Sequence, residues 1–338
     1  MINLGQIGAG LWGQNLLRNF YNLKDCRMKI CCDKNKAVLE NIKAQYSGGV
    51  EITDDFDDLI NDPLLDAVVI ATLPVTHARF AIKALSAGKH VFVEKPIALN
   101  VDDAKEMIKA ARRHKKILMV GHLLLYHPAV KKLKGYVNEG LFGEIHYLYS
   151  TRVNLGQVRE EENALWSLTA HDISVAIYLL GQKPIEVSVT GKSYLRKDVQ
   201  DVVFVTLTFK NKVMSHIHAS WLDPYKIRKF TIVGSKKMAV FNDMESTEKL
   251  RIYDKGFDWA KKANYGTYET FLTVREGDIN IPKIDMVEPL KLECQHFIDS
   301  IKNNTRPLSD GENGLEVLKV LAAAQKSLET GGQPVKIS

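Results

Sequence analysis

Cysteine is scarce in this chain, with four among 338 residues. Cys26, Cys31, Cys32 and Cys294 lack the paired spacing of a zinc site, and the adjacent Cys31 and Cys32 point to opposite faces of a strand, so free thiols are expected. Long apolar runs are missing as well. The longest uncharged stretch near the middle, from Ile117 to Val130, contains two histidines and a proline and falls short of the ~20 residues that span a bilayer. The first residues carry no basic region followed by an apolar core, so no secretion signal is read and a cytoplasmic location is expected. Repeats and low-complexity linkers are not seen. Excess charge of one sign is small, 46 Lys and Arg against 40 Asp and Glu, or +6. The densest basic cluster, Arg112 to Lys116, closes a predicted helix, where cations complement the helix dipole. A solvated surface therefore accounts for the basic balance, and no nucleic-acid partner is expected.

What is present is an ordinary globular composition, 45% hydrophobic and 25% charged, on a chain too long for one core. Two domains are expected, 1–121 and 122–338. In the first, short β-branched runs alternate with helical periodicity, which marks a parallel sheet covered by crossover helices. Six strands are predicted: Ile2 to Ile7, Met28 to Cys32, Glu51 to Thr53, Ala67 to Ile70, His90 to Val93 and Ile117 to Gly121. The fold class is thus α/β with a doubly wound parallel sheet. After Gly121 the pattern changes to a helix from Pro128 to Asn138, an alternating run from Glu144 to Asn154, and strand-like segments between Ile185 and Tyr253 without helices among them. That succession predicts a mostly antiparallel sheet. Helical segments from Glu288 to Lys302 and from Asn313 to Leu328 end the chain and are free to pack on either domain.

Directly after the first strand stands Gly8-Ala9-Gly10-Leu11-Trp12-Gly13, a GxGxxG loop whose glycines permit a tight turn and close backbone approach to a pyrophosphate. The following helix points its N-terminus at the phosphates. Asp33 ends the second strand about 20 residues beyond Gly13, the spacing at which a carboxylate accepts bonds from the adenosine ribose. A 2′-phosphate would meet like charge there, so NAD is favoured over NADP. Two further candidates follow strand ends: Thr72-Leu73-Pro74 with His77 on the next helix, and Glu94-Lys95-Pro96. Carboxyl strand ends line the cofactor crevice in such sheets. A partly buried lysine in that position exchanges a proton near neutrality, which makes Lys95 the first catalytic candidate.

Together these residues resemble the Gfo/Idh/MocA group of sugar and cyclitol dehydrogenases. The likeness rests on the glycine loop, Thr72-Leu73-Pro74 with His77, Glu94-Lys95-Pro96, the turn Gly140-Leu141-Phe142-Gly143-Glu144-Ile145, and His171-Asp172 opening a helix that ends Leu179-Leu180-Gly181. It implies a Rossmann domain followed by an α/β domain with a large open mixed sheet, one face of which forms homodimers or homotetramers. The resemblance also implies a cis peptide before Pro96, a nicotinamide ribose held by Glu94, and Lys95 and His171 at the reacting hydroxyl. In many members an aspartate stands four residues before the histidine; here Ser167 does, which leaves Lys95 and His171 as alternative bases, with Asp172 an orienting neighbour.

The segments Gly121 to Pro128 and Arg152 to Gly156 resemble the branch acting on C3 of UDP-N-acetylglucosamine or its uronate, within 3-amino sugar pathways of surface polysaccharides. Candidate substrate contacts are Tyr126, Arg152, Asn154, Arg159, Ser167 and Asp172, the arginines serving a pyrophosphate. Against this, Arg152 and Arg159 equally suit pairing with Glu160 to Glu162, and Tyr126 suits a core. Two rival readings keep the fold: an inositol or free-aldose dehydrogenase, and a non-catalytic sensor of cofactor and sugar. His216 and His218 share a strand face but lack a third ligand, and the acidic group Asp54, Asp55, Asp57 and Asp58 reads as a helix start, so no metal is expected.

Overall fold

The computed structural model describes residues 1–156, 162–264 and 267–338, without the side chains of 260–264 and 267–270. It divides into two units, Met1–His127 with Val287–Ala322, and Pro128–Met286 with Ala323–Ser338.

The first unit carries β1 (Ile2–Ile7), α1 (Leu11–Tyr21), β2 (Cys26–Cys32), α2 (Lys36–Gln45), β3 (Glu51–Thr53), α3 (Phe56–Asn61), β4 (Ala67–Ile70), α4 (Pro74–Ser86), β5 (His90–Val93), α5 (Val101–Arg113) and β6 (Leu118–Val120). Its strands lie in the order β3-β2-β1-β4-β5-β6 and pair in parallel. The order reverses between β1 and β4, and at such a switch point the carboxyl ends of the strands leave a crevice. β4, Ala-Val-Val-Ile, is buried throughout, as expected of a strand with both faces covered. Side chains set the helix starts: Asn35 caps α2, Asp55 caps α3 and Asn100 caps α5, each accepting backbone N–H bonds. The acidic group near Asp55 is accordingly a capped helix start, with Asp57 on Lys83 and Asp58 on Thr53.

This unit runs past Gly121 to His127 and regains Val287–Ala322. The cause is aromatic. Phe297, on the later helix Pro289–Asn303, lies edge-on to Phe92 of β5 (5.7 Å) and Phe20 of α1 (6.2 Å), and all three rings are fully buried.

In the second unit, α6 (Pro128–Asn138) precedes β7 (Ile145–Val153), α7 (Ala170–Leu180), β8 (Pro184–Lys192), β9 (Val202–Phe209), β10 (Met214–Ser220), β11 (Ile227–Gly234), β12 (Met238–Asn242), β13 (Leu250–Asn264) and β14 (Thr267–Asn280). After α8 (Pro289–Asn303), α9 (Gly311–Glu329) passes from the first unit into the second, where β15 (Val335–Lys336) closes the chain. The sheet has the order β14-β13-β12-β11-β7-β10-β9-β8-β15 and is mixed: β7 and β10 pair in parallel, the other neighbours antiparallel. Val203, Val205, Leu207 and Phe209 of β9 turn inward, while Phe204 is exposed along with Tyr147, Tyr149 and Met214. His216 and His218 share that outer face, each ring stacked with Phe204, and no group of three metal-ligating side chains exists among the described residues.

The long hairpin β13–β14 went unforeseen, because the strand pattern in the sequence stops near Tyr253. Its cross-strand pairs Phe257 with Val274 and Trp259 with Leu272 put four exposed apolar side chains on one face, so the alternation marks no buried side. All four cysteines are free and buried; burial pushes the Cys26 and Cys31 thiols up to about 12 and the Cys32 thiol up to about 11. Among the described residues no helix is long and apolar enough to cross a membrane.

Candidate functional site

The glycine loop is built by backbone crowding. Gly8 has φ +87°, and a Cβ there would meet the Ala71 carbonyl oxygen at 2.6 Å; one on Gly13 would meet the Gly8 carbonyl oxygen at 2.4 Å. Around Gly10 a Cβ would meet nothing within 4 Å, so the backbone faces open space where a phosphate approaches. Among the described residues no side chain caps α1, which leaves its first N–H groups to an anion. Gln6, fully buried in β1, donates from Nε2 to the carbonyls of Gly8 (2.9 Å) and Gly13 (2.7 Å). Sequence reasoning missed this brace; the available signal was an amide inside an otherwise apolar strand.

Asp33 stands where the ribose carboxylate is expected. Its oxygens accept the Ala9 N–H (2.7 Å) and the Asn35 N–H (2.8 Å), one each, which fixes the side chain beside the loop and leaves lone pairs for hydroxyl donors. Lys34 turns away to the Asp54 carbonyl.

Glu94 follows β5 and is buried. Trp12 Nε1 donates to its Oε1 at 2.5 Å and the Lys95 N–H to its Oε2 at 3.1 Å, so the glycine-loop tryptophan and the Glu94-Lys95-Pro96 turn meet directly. Burial pushes the Glu94 carboxyl up to about 7, against the Trp12 bond and the Lys95 charge, which pull it down. The turn contains the cis Lys95-Pro96 peptide. Lys95 is half-buried.

Thr72, Leu73 and Pro74 open α4, with Pro74 in its first turn and Thr72 Oγ1 on Thr76 Oγ1 at 2.6 Å. His77 is fully buried, its Nδ1 2.8 Å from the Pro96 carbonyl and its Nε2 3.0 Å from the Thr72 carbonyl. It therefore ties the turn after β4 to the turn after β5 and has no surface left for a ligand. Leu11 is exposed on the first turn of α1.

In the second unit, His171 and Asp172 open α7 after one π-helical turn, Leu165–Thr169, that holds buried Ser167. Arg152, from β7, reaches Asp172: Nε to Oδ2 2.6 Å and Nη2 to Oδ1 3.3 Å, with side chains 9% and 3% exposed. The two candidate contacts thus neutralise each other in a buried fork. Arg228 lies opposite Arg152 in the β7–β11 pairing, and burial, then the Arg152 charge, lowers its pKa. This second guanidinium escaped the sequence reading, because only the register of β11 reveals it. Asn154 follows β7 half-buried, its N–H on the Ser220 carbonyl. Arg159 lies outside the described residues. Tyr126 is fully buried, with its hydroxyl on Ser309 Oγ at 2.7 Å, a core position.

Comparison with known proteins decides the family. The profile of the Gfo/Idh/MocA oxidoreductase family's NAD-binding Rossmann fold matches residues 2–122, and that of its C-terminal alpha/beta domain matches residues 134–337. The chain belongs to the Gfo/Idh/MocA oxidoreductase family. Similar proteins include a myo-inositol 2-dehydrogenase of Thermotoga maritima, 28% identical over 97% of this chain and 96% of that protein. A UDP-N-acetylglucosamine 3-dehydrogenase of Acidithiobacillus ferrooxidans is 26% identical over 78% of this chain and 79% of the relative. Among solved structures, a probable dehydrogenase from Thermotoga maritima superposes with a TM-score of 0.82, at 25% identity, covering 99% of each chain. As a member of this family the protein is an NAD(P)-binding oxidoreductase of the kind that acts on sugar alcohols, and the loop, the free α1 N-terminus and Asp33 fit such a dinucleotide.

Proposed function

We propose that the protein oxidises a secondary alcohol of a UDP-N-acetylhexosamine, at C3, to the ketone. The reading is carried by one observation, the Trp12–Glu94–Lys95 arrangement that joins the glycine loop to the end of β5. NAD, when bound, accepts the hydride from the sugar carbon. The loop Gly8 to Gly13 seats its pyrophosphate, Asp33 holds the adenosine ribose and Glu94 the nicotinamide ribose. Lys95 or His171 takes the hydroxyl proton, a contribution of about 10² to 10⁴ in rate. The C3 position is supported by the likeness to the Acidithiobacillus ferrooxidans relative named for it.

A second reading, a polyol such as inositol, is favoured by the Arg152–Asp172 fork, since a guanidinium already saturated by a carboxylate contributes little to binding a pyrophosphate. A homo-oligomer through the open sheet face is supported by its exposed Tyr147, Tyr149, Phe204 and Met214, and sedimentation of the purified chain tests it. Purified protein incubated with NAD and either UDP-N-acetylglucosamine or myo-inositol, with reduced nicotinamide followed by absorbance, separates the two substrates. Turnover of the nucleotide sugar alone supports the first reading; turnover of inositol alone replaces it with the second.

A further inference from the structure

Behind Glu94 lies a second buried carboxyl that the reaction leaves unused. Phe297 packs on Phe92 at 5.7 Å. Two residues beyond Phe92 along the strand direction, on the same side of the sheet, is Glu94; one turn back from Phe297, on the same face of α8, is Glu293. The two steps bring the carboxyl groups into one neighbourhood. Glu293 is 0% exposed, and among the described residues neither Oε1 nor Oε2 has a hydrogen-bond partner. Burial, and after it the Glu94 charge, pushes its carboxyl well above the ordinary range. Glu293 in turn acts on Tyr126 and on the Cys294 thiol, both raised first by burial. The Lys95 charge acts on Glu94 and on His122, whereas the charge that acts on Glu293 is that of Glu94.

An ionised carboxylate in this setting would be stripped of both water and counter-charge, at a cost a protein avoids by protonation. A neutral acid still has one donor and spare acceptors, and buried polar groups lacking a protein partner are ordinarily met by internal water. Glu94 has room for that water's hydrogen: Trp12 and the Lys95 N–H take one site on each of its oxygens and leave others free. Its third side is closed by the chain itself, since a Cβ on Gly121 would come 3.0 Å from Oε1.

We propose that Glu293 is a positioning residue for the cofactor site, a neutral carboxylic acid that donates through one internal water to the Glu94 carboxylate and holds it against Trp12 and the Lys95 N–H. The role rests on the reading that Glu94 faces the nicotinamide ribose. Glu293 itself touches neither substrate nor cofactor.

Three variants test it, E293Q, E293L and E94Q, in the full chain. Glutamine keeps an uncharged donor and acceptor; leucine keeps only volume. The native state retains a proton that the unfolded chain releases above 4.5, so as pH is raised above 4.5 the unfolding constant of the wild type should rise relative to that of E293Q, by up to about tenfold per pH unit. Parallel stability curves for wild type and E293Q would overturn the inference, without reference to cofactor. For NAD binding, E293Q should stay within about threefold of wild type and E293L should weaken by about tenfold, the worth of one hydrogen bond. E293L binding NAD as tightly as wild type, while E94Q binds it weakly, would also overturn it. If E94Q binds NAD normally, the ribose reading fails by itself and the inference fails with it as a statement about positioning.

Discussion

Each unit contains a buried acid beside a strand end, and the two acids are compensated in opposite ways. Asp172 meets Arg152 in a two-point fork, so charge is matched by charge inside the second unit. Glu94 meets an indole N–H and a backbone N–H with the Lys95 charge acting on it as well, yet burial outweighs them and its proton affinity rises to about 7. The first arrangement gives a charge-matched pair; the second gives a carboxyl whose ionisation changes near neutral pH. The comparison teaches that burial alone does not mark a functional carboxyl. What a buried acid is paired with matters as much as its burial.

The sharpest way to break the contrast is at Lys95, beside Glu94. Lys95→Met should lose at least about a hundredfold in turnover while NAD titration remains normal. Equal turnover would remove the amine from the chemistry. On the other side, Arg152→Met leaves Asp172 buried and unpaired, and should cost about 3 to 5 kcal/mol in urea unfolding. The double replacement Arg152→Met with Asp172→Leu should recover most of that loss, as a strut would and a ligand-binding pair would not.

A third test uses His122, 1% exposed with no hydrogen-bond partner on either ring nitrogen; burial, then the Lys95 charge, lowers it from 6.5 to about 3. Its folded value is depressed, so the unfolded state takes up protons first. Stability is full above 6.5 and falls as pH drops toward 3. Between pH 6.5 and about 5 the wild type should lose about 2 kcal/mol relative to His122→Phe in parallel urea titrations. The smallest effect on folding is expected at Gly10, where a Cβ meets nothing. Gly10→Ala should leave the melting temperature unchanged yet weaken NAD, because the added methyl takes space that only a ligand needs. Gly13→Ala, aimed at a carbonyl 2.4 Å away, should lower both.

Local chemistry was legible and long-range pairing was not. The glycine loop, Asp33 and the strand before Glu94 declare themselves because turn geometry, strand period and their spacing fall within short windows. Every one of the six strands of the first sheet is found where β-branched runs stand, although β2 begins earlier, at Cys26. The Arg152–Asp172 fork joins positions 20 apart, a strand residue and a helix start, and no local pattern announces it. Glu293 reads in sequence as a polar position on an amphipathic helix; only the packing of α8 on Phe20 and Phe92 turns it inward. His77 misleads for the converse reason, since spacing brings it to the strand ends but its ring is spent on two carbonyls.

The first unit is assembled from two stretches of chain that 159 intervening residues (128–286) separate. A ribosome making this protein releases residues 1–127 first, yet the wedge of Phe297 and the Ser309 partner of Tyr126 arrive only after the intervening residues have been made. An amino-terminal fragment stopping at Gly121 should therefore emerge with Phe20 and Phe92 uncovered and depend on chaperones, as the growing chain does until Phe297 has been made.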